Sequence, residues 1–210
     1  MKPAAAFLPA LILLSTLASA ASPPPPVLDA RGHPVHSGTL YNILPAAAAH
    51  HGGGLTLDVI ANHSYAACKL GVFQDGNPSS PGLPVKIFLA GGEEVRGPSS
   101  VPTATDVNIQ FAASSTCARS TVWKLGRFDR DARKWFVVDG GRRPPPQSLF
   151  KIVKVAVVGE GKNHQVLFKI VFCPSAAACK DVGIFVDGKT GYRRLALVDH
   201  GPLLVQFKKA

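Results

Sequence analysis

Short apolar stretches that recur about every ten residues, each broken by Gly, Pro or Asp, constrain this chain more than any other feature. Leu55, Leu57 and Val59 alternate with their neighbours, as do the residues of Val85 to Leu89 and the set Val107, Ile109 and Phe111. Val122-Trp123-Lys124-Leu125 and Trp135 to Val138 follow. Phe150 to Val158 and Val166 to Phe172 are longer and rich in β-branched residues, and Val182 to Val186, Leu195 to Val198 and Leu203 to Phe207 complete the series. A period of two buries one side of a strand, and β-branched side chains suit a pleated surface. No segment carries a helical period. The 20 Gly and 18 Pro supply the turns, and His50 to Gly54 and Asp75 to Pro84 read as loops. The pattern predicts an all-β sandwich or barrel and excludes long helical bundles and coiled coils. With 46% hydrophobic and 17% charged residues among 210, the composition is that of a folded chain with a sizeable core rather than a disordered one.

The first twenty residues stand apart. Met1-Lys2 is positive, Ala4 to Leu17 is apolar, and Ala18-Ser19-Ala20 fits the small-x-small cleavage rule. Residues 1–20 are expected to be a secretory signal peptide, 21–26 a flexible, extended proline-rich lead-in, and 27–210 one folded domain. Pro9 and the short length argue against a membrane anchor. The expected location is outside the cell, or a vacuole reached by the secretory route.

An oxidising compartment changes how Cys68, Cys117, Cys173 and Cys179 read. An even count there predicts two disulfides, with three pairings open, and proximity favours Cys68–Cys117 and Cys173–Cys179. Loop-closure entropy gives these roughly 4 and roughly 2 kcal/mol. No C-x-x-C or H-x-x-x-H spacing argues for a metal. Asn62-His63-Ser64 is an N-glycosylation sequon and implies a surface loop.

Little in the sequence argues for an enzyme. Gly183 to Thr190 formally matches the phosphate-loop pattern, but Asp187-Gly188 is a turn signal between two strand-like runs, so a β-hairpin is expected. G-x-S-x-G and H-E-x-x-H are absent. His33, His36 and the pair His50-His51 read as solvated turn residues. The charge of +10 comes from 23 Lys and Arg against 13 Asp and Glu, scattered in small pairs such as Arg142-Arg143 and Arg193-Arg194. Scatter argues against nucleic acid and leaves long-range attraction to acidic partners or anionic cell-wall polymers.

Val27-Leu28-Asp29-Ala30-Arg31-Gly32-His33-Pro34-Val35 followed by Tyr41-Asn42-Ile43 resembles the N-terminal signature of the soybean-type Kunitz inhibitor family, with Arg31 where an acidic or small polar residue is usual. Val171-Phe172-Cys173-Pro174 ahead of Cys179, Asp181 to Ile184, Arg193 to Leu197 and Pro202 to Lys209 resemble the family's C-terminal half. Gly53-Gly54-Leu55-Thr56, Thr105-Asp106-Val107, Ser120-Thr121-Val122-Trp123 and Phe207 to Ala210 look closest to its cereal α-amylase/subtilisin inhibitor branch.

The resemblance implies a β-trefoil of twelve strands in three pseudo-repeats, six of them closing a barrel, with the same two near-neighbour disulfides. It implies an inhibitor of serine endopeptidases rather than an enzyme, with no catalytic residue, metal or cofactor. Its alternatives are an α-amylase or dual α-amylase/subtilisin inhibitor, and an inactive storage or binding trefoil. By the family's register the inhibitory loop falls within Leu89 to Ser99, with Leu89, Ala90, Glu94, Val95, Arg96 and Gly97 as its candidate contact residues. Arg96 is the expected specificity residue, because a basic side chain suits a trypsin-type pocket that holds an Asp. Ser37 stands where trypsin-inhibiting relatives place an Asn that braces the loop. The expected partners are a trypsin-like or subtilisin-like protease and α-amylase, met by a monomer, with no nucleic acid or membrane partner.

Overall fold

The computed structural model describes residues 22–46, 52–60, 69–90, 99–114, 116–117, 119–143, 148–159, 165–175 and 178–210. Among these there are twelve strands and no α-helix. They are β1 (Leu40–Pro45), β2 (Leu55–Val59), β3 (Leu70–Gln74), β4 (Val85–Leu89), β5 (Asp106–Phe111), β6 (Lys124–Asp129), β7 (Lys134–Val138), β8 (Phe150–Val158), β9 (Gln165–Ser175), β10 (Ala178–Val186), β11 (Arg193–Val198) and β12 (Leu204–Lys209).

Six strands close a ring. β12 pairs with β1, β1 with β4, β4 with β5, β5 with β8, β8 with β9, and β9 returns to β12. The remaining six form the antiparallel hairpins β2–β3, β6–β7 and β10–β11, whose inner strands β3, β7 and β11 pair with one another. Each third of the chain thus contributes two barrel strands and one cap hairpin. This is a β-trefoil, and closure removes the exposed edges that an open sheet would present.

Alternation sets which side chains fill the barrel. Val85 and Ile87 of β4 and Val107, Ile109 and Phe111 of β5 are buried, while Lys86 and Phe88 turn outward and stay half-exposed. Phe168, Val205 and Phe207 fill the same core from β9 and β12. Trp123 is fully buried between Phe111 and Phe150, with ring centroids 5.6 and 5.9 Å away.

Two strands lie where alternation does not single out a strand. β3 is buried on both faces, because it sits where the three cap hairpins meet. β1 buries Tyr41, Asn42 and Ile43 in succession, so it shows no alternation before it ends at Pro45. The run from Val122 begins as a strand only at Lys124; Val122 makes a single bridge to Gln110, the Trp123 N–H donates to the Ile109 carbonyl at 2.8 Å, and the Trp123 ring is buried in the core. The segment that matches the phosphate-loop pattern is the β10–β11 hairpin, with Asp187 to Thr190 in its turn.

Cys173 and Cys179 are joined to each other across β9 and β10. Cys117 is also disulfide-bonded, and Cys68 lies outside the described residues, as do the proposed leader and Asn62.

Candidate functional site

The β4–β5 connection is built on two anchored arms. On the incoming arm Leu89 pairs with Val107, and the Ala90 N–H donates to the Asp106 carbonyl at 2.9 Å. On the outgoing arm Ser100 bridges His36, the Val101 N–H donates to the Val35 carbonyl at 2.8 Å, and the Val27 N–H donates to the Val101 carbonyl at 2.8 Å. The Thr103 N–H donates to the Pro25 carbonyl at 2.8 Å, so the exposed proline run lies along this arm.

One dipeptide ties both arms. The Ser37 N–H donates to the Ser99 carbonyl and the Gly38 N–H to the Ile87 carbonyl, each at 2.9 Å. Gly38 has a φ of +76°, which turns the chain from the clamp toward β1, a conformation that glycine adopts without strain. The turn around it is held in turn by the His36 N–H, which donates to the Tyr41 hydroxyl at 3.0 Å while the Tyr41 ring is buried in the core. The clamp is therefore main-chain chemistry fixed to the barrel.

A third element supports the incoming arm from outside. Phe88, one residue before Leu89, carries the Arg143 guanidinium over its ring at 3.8 Å. Arg143 follows a strap that has no freedom. The Gly140 N–H donates to the Ser120 carbonyl, the Gly141 N–H to the Val122 carbonyl, and the Ser120 hydroxyl to the Gly141 carbonyl. A Cβ on Gly141 would lie 2.5 Å from the Ser148 hydroxyl and 2.7 Å from the Trp123 carbonyl.

Leu89 and Ala90 thus lie on the incoming arm, paired with β5, and Ser37 is bonded to the outgoing arm at Ser99. Glu94, Val95, Arg96 and Gly97 lie outside the described residues. Gly38, Phe88 and Arg143 belong to the same assembly and were not singled out by sequence, whereas Tyr41 was marked only as part of the N-terminal signature. Gly38 carried a signal, being a glycine right after a candidate support residue, and Arg143 carried only membership of a basic pair. Among the described residues no group of three metal-ligating side chains converges.

The fold is a β-trefoil in which both described arms of the β4–β5 connection are tied to the barrel. The chain belongs to the legume-type Kunitz family, described as trypsin and protease inhibitor, which matches residues 27–209. That family comprises inhibitors, not enzymes. Among its relatives is miraculin of Synsepalum dulcificum, 35% identical over 92% of this chain and 87% of the relative. Kunitz trypsin inhibitor 4 of Arabidopsis thaliana is 35% identical over 95% and 89%. The alpha-amylase/subtilisin inhibitor of Oryza sativa is 32% identical over 95% of this chain and 94% of the relative. The solved structure of the rice bifunctional inhibitor superposes with a TM-score of 0.65 over 89% of this chain and 99% of that one.

Proposed function

We propose that the protein inhibits a serine endopeptidase by offering residues 89–99 as a substrate-like segment to the protease active site. The observation that carries this reading is the Ser37-Gly38 clamp, which fixes both arms of that segment to the barrel. A segment held at both ends loses little freedom on binding, and after attack by the catalytic serine its new ends stay close enough for religation to compete with release. Arg96 supplies the specificity side chain and directs the loop to trypsin-like enzymes. The protein acts as a secreted monomer.

Titration of trypsin, chymotrypsin and subtilisin with the purified, oxidised protein tests the reading. A stoichiometric end point with any of them supports it, and loss of the trypsin end point in Arg96→Ala supports Arg96. Silence against all three overturns it. A second reading, inhibition of α-amylase through another face, is favoured by the rice relative, whose name carries both activities. It is tested by adding α-amylase to the panel.

A further inference from the structure

The β6–β7 hairpin presents two aromatic rings to solvent. Its ladder shifts register between Leu125 and Phe128, and the shift brings Phe128 directly opposite Trp135. Directly paired residues leave a sheet on the same face. The ring centroids lie 5.4 Å apart at an interplanar angle of 56°, and the two residues are 45% and 42% exposed. They form one end of a groove of about 290 Å³ whose far wall is Lys180, Leu197, Val198 and Asp199 from the β10–β11 hairpin and the turn after it.

Lys180, Val198 and Asp199 also line a second cleft of about 660 Å³, so the two clefts share this wall. In the larger cleft each lysine has its carboxylate: Lys151 with Asp106 at 3.1 Å, Lys169 with Asp181 at 2.7 Å, and Lys180 with Asp199 at 2.6 Å. At the aromatic end the balance is different. Arg133 and Lys134 form no ion pair within 4 Å among the described residues. On their own turn Asp129 Oδ1 accepts from the N–H groups of Asp131 and Ala132, and across the groove the charge of Lys134 acts on Asp199. Asp131 stands exposed on the same turn.

Arg133 has a φ of +51°, a backbone conformation that glycine adopts freely and arginine adopts at a cost. A cation thus stands at a strained turn position beside two exposed rings.

We infer that this groove binds an acidic polysaccharide, a chain of uronic acid units. Aromatic faces lie flat against the C–H faces of pyranose rings, and Arg133 and Lys134 stand beside them to pair with the ring carboxylates. A shallow groove with a second cleft across its wall suits an extended chain better than a small molecule, which would need enclosure. The chain's net charge of +10 draws a polyanion in from a distance.

The test measures binding of the full protein to polygalacturonate, to its methyl-esterified form and to a neutral glucan by calorimetry at about 20 mM and about 200 mM salt. Polygalacturonate is expected to bind, with the esterified and neutral chains much weaker. Trp135→Ala should weaken binding about tenfold at both salt levels, the loss of one stacked ring. Arg133→Gly suits the backbone, so it keeps the fold while removing the charge, and should weaken binding several-fold at low salt only.

Equal binding of esterified and acidic chains overturns the proposal. So does unchanged binding by Trp135→Ala and Arg133→Gly, which would assign retention to scattered surface charge. A poly-glutamate control that binds as tightly and is equally sensitive to Trp135→Ala would assign the groove to an acidic protein instead. Protease titration of Arg133→Gly should match the wild type, which separates this site from the loop.

Discussion

The main-chain N–H of Ser37 donates to the carbonyl of Ser99, and its neighbour Gly38 reaches Ile87 on the opposite arm of the same connection, both at 2.9 Å. Two adjacent peptide groups thus fix the separation of the arms without any side-chain contact. The cost of ordering these two arms is met when the barrel folds.

Gly38→Ala tests the clamp. Space is not the difficulty, since the added methyl would meet Phe88 at an ordinary 3.8 Å, but a φ of +76° strains any L residue. Stability should fall by about 1 kcal/mol. If the backbone relaxes, the Gly38 hydrogen bond is lost and an excess of protease should cut residues 89–99 faster than in the wild type. Mass spectrometry of a digestion time course, with a denaturant melt beside it, reads both effects.

Arg143→Ala tests the outer support. Loss of the guanidinium 3.8 Å above the Phe88 ring removes a cation–π contact worth about 0.5–1 kcal/mol at an exposed position. It also removes a positive charge beside the loop. Association with an inhibited protease should slow a few-fold at low ionic strength, and the gap should close as salt is added. Arg143→Lys should keep the salt effect and lose the stacking. Stopped-flow association rates at two salt levels distinguish the three proteins.

What was legible in the sequence followed from one-sided burial. Val85, Ile87, Val107 and Ile109 alternate because β4 and β5 show one face to the barrel core and one outward. β3 lacks that signature because Leu70 to Gln74 are buried on both faces at the junction of three hairpins. Trp123 looked like a strand residue by composition, yet its ring wedges between Phe111 and Phe150, a contact between distant parts of the chain. The same holds at the candidate site. Ser37 could be marked by resemblance, but the bonds it shares with Gly38 are main-chain bonds, and no side-chain pattern encodes them. Arg143 stacks on a residue 55 positions away, which no local motif reports.

Asp139 gives a pH-dependent prediction. Burial raises its carboxyl pKa, outweighing the backbone hydrogen bond from Leu70 and the charge of Lys124. The folded state therefore holds this proton to higher pH than the unfolded chain, whose value is near 3.8. Between the two values the folded state binds more protons, so this group's contribution to stability falls as pH rises through that window. Above the window the ionised carboxylate is a net cost. Asp139→Asn should be more stable than the wild type at about pH 7, with the difference shrinking to nothing at about pH 3. Urea midpoints at the two pH values read the sign directly, and a gain that persists in acid would assign the effect to packing instead.

The Cys173–Cys179 bridge spans six positions and closes the end of the β9–β10 hairpin, where the ladder shifts register between Ala178 and Lys180. A short loop restricts the unfolded chain only modestly, so replacing both cysteines by alanine should cost about 2 kcal/mol. The cost should be local in its structural effect. Phe172 on β9 is packed against Phe150 at 5.5 Å and belongs to the barrel core, whereas Cys179 lies on the exposed rim of the large cleft. Hydrogen exchange of the double variant should speed up from Ser175 to Lys180 and stay slow through Phe168 to Phe172. Protection lost along the whole of β9 would show that the bridge holds the barrel strand itself, and the expected stability loss would then be exceeded.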